Sequence, residues 1–284
     1  MSGRALFGWV ALIAATAAIA AGDEPAAAAT GAPPAGYRLV WADEFDEDGL
    51  PDRKRWSYDT ELNRKGWVNH ELQYYSAARR ENSRIENGVL IIEARKEAPR
   101  AFDDYGGQQY TSARLVTRGH ASWTYGFFEI RAKIPCGVGS WPAIWLLGDM
   151  RKFRWPDVGE IDIMEHVGFD PGVVHGTIHT KAYNHVIHTQ RGSQVTIADA
   201  CTEFHRYQLT WMHDKIVIGY DDQRYFEFAR EANAGHDQWP YDAPESLLLN
   251  IAVGGDWGGI KGVDDAIFPV RMEIDYVRVY QLAQ

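Results

Sequence analysis

From residue 88 onward the chain is a succession of short runs in which apolar residues alternate with others, broken by Gly, Asn, Asp and Pro. They lie at residues 88–94, 125–134, 174–179, 207–211, 215–220, 246–253 and 271–280. Successive side chains on a strand point to opposite faces, so each run can bury one face against a second layer. Long 3.6-residue patterns are absent, and residues 51–56 offer at most one helical turn. Such a series predicts an all-β sandwich. Residues 246–253 are apolar on both faces except at Asn250, which predicts a central strand. A buried amide there needs partners, either backbone groups or a polar ligand in a groove. Residues 220–225 read as a tight turn with Asp221 and Asp222 at its tip.

No internal repeat or second linker follows Tyr37, so residues 37–284 read as one domain. Residues 1–20 have the form of a secretory signal: Arg4, an apolar run over residues 5–20, and Ala18-Ile19-Ala20 as the cleavage site. An uncleaved membrane anchor is the alternative. Residues 21–36, rich in Ala, Pro and Gly, read as a disordered linker. The expected location is secreted or periplasmic. A net charge of −10 argues against nucleic acid and anionic membranes as partners and favours a neutral substrate. Eleven Trp and fourteen Tyr supply a large core, or flat faces for a ligand that is apolar in its plane and polar at its edges, as sugars are. The only cysteines are Cys136 and Cys201. In an oxidising compartment one disulfide is expected, with two buried thiols as the alternative. Neither Cys-x-x-Cys nor His-Glu-x-x-His occurs, so spacing gives no support to a zinc site.

Residues 159–168, Gly-Glu-Ile-Asp-Ile-Met-Glu-His-Val-Gly, concentrate three carboxylates among strand-forming apolar residues. Glu160 and Asp162 share a face of a strand. Glu165 falls at i+5 and joins them only if Ile163 or Met164 is absorbed as a β-bulge. Four strand steps of roughly 3.3 Å, less about 4 Å of inward lean on each side, then leave the two glutamate carboxyls roughly 5 Å apart, as in retaining glycosidases. On spacing alone, an exposed acidic face and a calcium site remain open beside catalysis. His166 should point away from the carboxylate face and is read as structural.

The hexapeptide Glu160-Ile161-Asp162-Ile163-Met164-Glu165 resembles the bulged signature of glycoside hydrolase family 16, as found in laminarinase-like endo-β-1,3-glucanases. The flanks are similar in the family's order: Trp41-Ala42-Asp43-Glu44-Phe45-Asp46, Asn69-His70-Glu71-Leu72-Gln73, Ser140-Trp141-Pro142-Ala143-Ile144-Trp145, His175-Gly176-Thr177-Ile178-His179, Leu249-Asn250-Ile251-Ala252-Val253-Gly254-Gly255 and Glu273-Ile274-Asp275-Tyr276. The resemblance spans essentially all of residues 37–284. It implies a jelly roll of two curved antiparallel sheets with a substrate cleft on the concave face. It also implies Glu160 as nucleophile, Glu165 as general acid/base and Asp162 as the assisting carboxylate. Asn69, Arg114, Trp141, Trp145, His179 and Asn250 would contact sugar, and Trp257 would close one end of the cleft.

The implied activity is a secreted, retaining endo-β-glucanase cutting β-1,3 bonds of laminarin-like glucans, a monomer needing no catalytic cofactor. Alternatives are a same-fold enzyme acting on mixed-linkage glucan or a galactan, a transglycosylase, and a non-catalytic β-glucan-binding protein. The last is disfavoured because both glutamates are present. The resemblance further implies a structural calcium held by Glu44, the Gly88 carbonyl and Asp275. Linkage preference is expected to lie in loops such as residues 95–110 and 150–157.

Overall fold

The computed structural model describes residues 33–283. The signal and anchor readings, and the linker as far as residue 32, lie outside the described residues. The strands in chain order are β1 (Tyr37–Asp43), β2 (Ser57–Tyr58), β3 (Gln73–Tyr75), β4 (Ser83–Glu86), β5 (Val89–Lys96) and β6 (Tyr110–Ser112). There follow β7 (Arg114–Val116), β8 (Gly126–Lys133), β9 (Ser140–Leu147), β10 (Glu160–His166), β11 (Val173–His179) and β12 (Arg191–Thr196). The last are β13 (His205–Trp211), β14 (Lys215–Tyr220), β15 (Gln223–Ala229), β16 (Ser246–Val253) and β17 (Val270–Leu282). One α-helical turn, α1 (Gly255–Gly258), follows β16.

They form two sheets. A ten-stranded sheet runs β15-β14-β13-β8-β17-β5-β6-β3, with β1 on β17 and β4 on β5, and a seven-stranded sheet runs β12-β11-β10-β9-β16-β7-β2. Every pairing is antiparallel except β3 with β6. The core lies between the sheets. Ile92, Phe128, Ile130, Leu209, Ile274 and Val277 come from one, and Leu115, Ile144, Leu146, Ile161, Ile178 and Leu249 from the other, all buried. Each such aliphatic side chain contributes about 1.5–3 kcal/mol by leaving water.

The predicted runs are all strands, and residues 246–253 are β16, flanked by β9 and β7. At residues 51–56 the Arg55 and Trp56 N–H groups both donate to the Asp52 carbonyl, each at 2.9 Å, and make one turn. The tip between β14 and β15 holds Asp221 and Asp222 at φ of 44° and 67°, the left-handed pair that a two-residue hairpin requires. Pro142 lies inside a strand flanked on both sides. It is tolerated where the ladder has opened, because β10 pairs with β9 only from Ala143 to Leu147. Cys136 and Cys201 form a disulfide, their Cα atoms 5.7 Å apart.

Candidate active site

The carboxylate stretch is β10, near the middle of the seven-stranded sheet. Against β11 its register runs Asp162 to Thr177 and then Glu165 to His175, so three steps on one strand meet two on the other. Against β9, Asp162 faces Trp145 and Met164 faces Ile144, which places the extra residue at Ile163. The bulge sends Ile161, Ile163 and Met164 into the core, with no exposed surface, and returns Glu165 to the face of Glu160 and Asp162. Glycines bound the stretch for steric reasons. A Cβ on Gly168 would lie 1.9 Å from the Gly137 carbonyl oxygen, and Gly159 sits at φ 83° against Pro240 and Glu245.

Register then assembles the rest. His175, Glu165, Ala143, Asn250 and Arg114 are paired in one row across β11, β10, β9, β16 and β7. Directly paired residues share a face, so small Ala143 leaves room beside Glu165, and Trp141 and Trp145 flank it on the same side. The Trp141 indole donates to Glu165 Oε1 at 3.0 Å, and Trp155 donates to Glu160 Oε2 at 3.0 Å. Trp145 donates to Asn250 Oδ1 at 2.8 Å, and Asn250 Nδ2 donates to the Tyr75 hydroxyl at 3.1 Å. The buried amide is thus satisfied by side chains, and it fixes Trp145. The Arg114 guanidinium stacks on Trp145 and Trp67, 4.6 and 5.2 Å from their ring centres. Trp257 stands edge-on to Trp141 at 5.4 Å and to His175 at 4.9 Å. Asn69, at φ 56°, donates to Glu71 Oε1 at 3.3 Å.

Among the described residues no lysine or arginine forms an ion pair with the three acids; His179 Nε2 is the basic atom near them, 3.4 Å from Asp162 Oδ2 and 3.9 Å from Glu160 Oε1. Burial first, and His185 second, push its pKa down to about 3, so it is a neutral imidazole. The carboxyls move the other way. Burial and then the charge of Glu165 push Glu160 up to about 8, against the Trp155 hydrogen bond. Burial pushes Glu165 up to about 7, against Trp141, with Glu71 as the added charge. The lift on Glu165 therefore comes first from burial. Asp162, 3 % exposed, is pushed well above its usual range by burial and then by Glu160. Its Oδ2 has no hydrogen-bond partner.

Three further residues belong to the site. Glu71 accepts from Gln73 Nε2 at 2.8 Å, and its charge acts on Glu160 and Glu165. Its signal was the Asn69-x-Glu71-x-Gln73 alternation. Glu245, 1 % exposed and without a partner for either oxygen, is pushed well up by burial and then by Glu160. Trp155 comes from a loop whose sequence carries no periodicity. His166 points into the protein, as expected, with its Nδ1 2.9 Å from the Val173 carbonyl.

Among the described residues, two clusters bring three metal-donating side chains within 4.8 Å: Glu160, Asp162 and His179, and Cys136, His166 and Cys201. The two carboxylates that the resemblance implies for calcium are engaged by arginines here. Glu44 is held bidentately by Arg278 at 2.8 and 2.7 Å, Asp275 lies 2.6 Å from Arg131, and Gly88 turns β4 into β5 at φ 75°.

Two carboxyls on one face, N–H donors on each and aromatic walls form a site able to donate a proton and to attack carbon. The sequence profile of glycosyl hydrolases family 16 matches residues 70–278. A β-glucanase of Rhodothermus marinus is 55% identical over 252 residues, covering 86% of this chain and 85% of that protein. Among solved structures, the laminarinase of Rhodothermus marinus superposes with a TM-score of 0.82 at 53% identity, covering 87% of this chain and 98% of the other. SCLam, a non-specific endo-β-1,3(4)-glucanase, gives 0.86 at 56% identity, covering 89% and 94%. The chain belongs to glycosyl hydrolases family 16.

Proposed function

We propose that the chain is a retaining endo-β-1,3-glucanase acting on laminarin-like glucans, with Glu160 as nucleophile and Glu165 as general acid/base. The observation that carries this reading is the bulge at Ile163, which turns an i+5 spacing into two glutamates on one face. Glu160 and Glu165 titrate as a pair, and the reactive form is the one whose single proton sits on Glu165; that proton goes to the glycosidic oxygen while ionised Glu160 attacks the anomeric carbon. The charge of Glu165 acts on Glu160, and the repulsion is mutual, so esterifying Glu160 weakens the hold of Glu165 on a proton. Glu165 then takes a proton from water, and that water attacks the glycosyl-enzyme from the face the leaving group vacated, restoring the β configuration. Asp162, two residues from Glu160 on the same face and with its hold on a proton strengthened by burial, is placed to hydrogen-bond the nucleophile and hold its orientation.

Trp141, Trp145, Trp257, Arg114, His179, Asn69 and Asn250 frame the sugar chain in this proposal, Asn250 through Trp145. Mixed-linkage glucan is the second substrate, a reading favoured by the likeness to a non-specific endo-β-1,3(4)-glucanase. The product profile from laminarin, lichenan and agarose tests the substrate, and NMR of the first products tests the mechanism. Oligosaccharides from laminarin appearing first as the β anomer are expected; agarose cleavage without laminarin cleavage, or α products first, would overturn it.

A further inference from the structure

The second donor cluster lies outside the cleft, and its members come from three separate segments. Cys136 is in the link from β8 to β9, Cys201 precedes β13, and His166 ends β10. Each offers a ligand atom within 4.8 Å of the other two, and His166 Nε2 is 3.3 Å from Cys136 Sγ. The ring's orientation is fixed. Nδ1 lies 2.9 Å from the Val173 carbonyl, which can only accept, so Nδ1 carries the hydrogen and Nε2 presents its lone pair to sulfur. A backbone carbonyl holding the far nitrogen is the arrangement that orients histidine ligands in metal centres. His166 is fully buried while Cys136 and Cys201 are half-buried, so the sulfur side can admit a fourth ligand from solvent.

We propose that Cys136, Cys201 and His166 form, once the disulfide is reduced, a binding site for a thiophilic divalent cation of the Zn2+ type. Reduction by a water-soluble phosphine breaks the S–S bond. The phosphine gives up two electrons and becomes its oxide with the oxygen of one water, and that water's two protons end on the thiols. The cation then displaces both thiol protons into solvent and takes two thiolates and the Nε2 lone pair, with water in the fourth position. No Cys-x-x-Cys spacing announces this set, because its members are 30 to 65 residues apart and only the sheet brings them together. The disulfide ties two segments, whereas the cation ties three, including the end of the strand that carries Glu160 and Glu165. The two cross-links are thus alternatives chosen by redox conditions, and they stand independently of the glucanase reading.

The test follows the melting temperature of the full chain, oxidised, reduced with phosphine and a chelator, and reduced with one equivalent of Zn2+. The expected result is a drop on reduction, at least half recovered with Zn2+, and no Zn2+ effect on the oxidised chain. A chain that unfolds on reduction is expected to refold when Zn2+ is added, and one that stays unfolded overturns the proposal. Co2+ added to the reduced chain should give thiolate charge-transfer absorption at one equivalent. His166→Gln, folded while oxidised, should lose the Zn2+ recovery. Equal recovery in that variant, or no binding by the reduced wild-type chain, refutes the site.

Discussion

The tripeptide Glu-Ile-Asp occurs twice, as Glu160-Ile161-Asp162 on β10, where a register shift follows it, and as Glu273-Ile274-Asp275 on β17, where the shift falls at Asp275 itself. The local chain is nearly the same, and the chemistry is not. On β17, Glu273 faces Lys133 with the charged atoms 2.9 Å apart, and Asp275 lies 2.6 Å from Arg131, all of them partly exposed. On β10 the neighbouring strands bring indoles and a neutral imidazole, and the pKa values climb. Arg131 and Lys133 alternate on β8 as Trp141 and Trp145 do on β9. The facing strand therefore decides whether an acidic tripeptide becomes a solvated ion-pair ladder or a reactive site.

The comparison breaks most visibly in activity. Glu160→Ala or Glu165→Ala should lower kcat/KM on laminarin by about 10⁴-fold or more, while Glu273→Ala and Asp275→Ala leave it within about twofold. Comparable losses in both pairs would mean that the strands are not distinct in role. Next comes the environment of the acids. Trp155→Phe removes the N–H on Glu160, and we expect about a tenfold fall in kcat, with the acidic limb of the pH profile moved upward because the anion has lost a donor. An unmoved limb would deny that the indole tunes the carboxylate.

Stability should respond with opposite sense in the two copies. The carboxyl of Glu160 sits at about 8 against an ordinary 4.5, so the folded chain holds that proton more tightly than the unfolded one. The resulting stability is complete below pH 4.5 and is lost as pH rises through about 8. Glu160→Gln should thus raise Tm by about 3–6 °C at pH 8 and leave it nearly unchanged at pH 4, read by calorimetry. A larger gain at pH 4 than at pH 8 would contradict the burial account. The smallest effect is expected from Asp275→Asn, a partly exposed pair whose loss should cost less than about 1 kcal/mol in denaturant unfolding.

Much of this was legible in the sequence, for identifiable reasons. Strands with alternating apolar residues write a period of two, and β16, buried on both faces, writes a continuous apolar run, so β5, β8, β11, β13, β14, β16 and β17 were readable. By contrast β12 is polar and largely exposed at the sheet edge and leaves no such trace. The i+5 position of Glu165 itself demanded a bulge, because the alternative would bury a carboxylate in the core. Trp155, Glu245 and the Cys136–His166–Cys201 cluster were not legible. Trp155 reaches Glu160 by the path of a loop, Glu245 lies beside Gly159 with its charge acting on Asp162 from a distant part of the chain, and the cluster exists only through pairings distant in sequence.

The central claim is that the bulge sets Glu160 and Glu165 on one face in unlike roles, and chemical rescue by azide tests it most directly. Glu160→Ala and Glu165→Ala are each turned over on an aryl β-glucoside of laminaribiose with azide present, and the anomeric configuration of the glycosyl azide is read by NMR. The account predicts an α-azide from Glu160→Ala, where azide replaces the nucleophile, and a β-azide from Glu165→Ala, where it intercepts the glycosyl-enzyme. The reverse assignment, or β-azide from both, would contradict it.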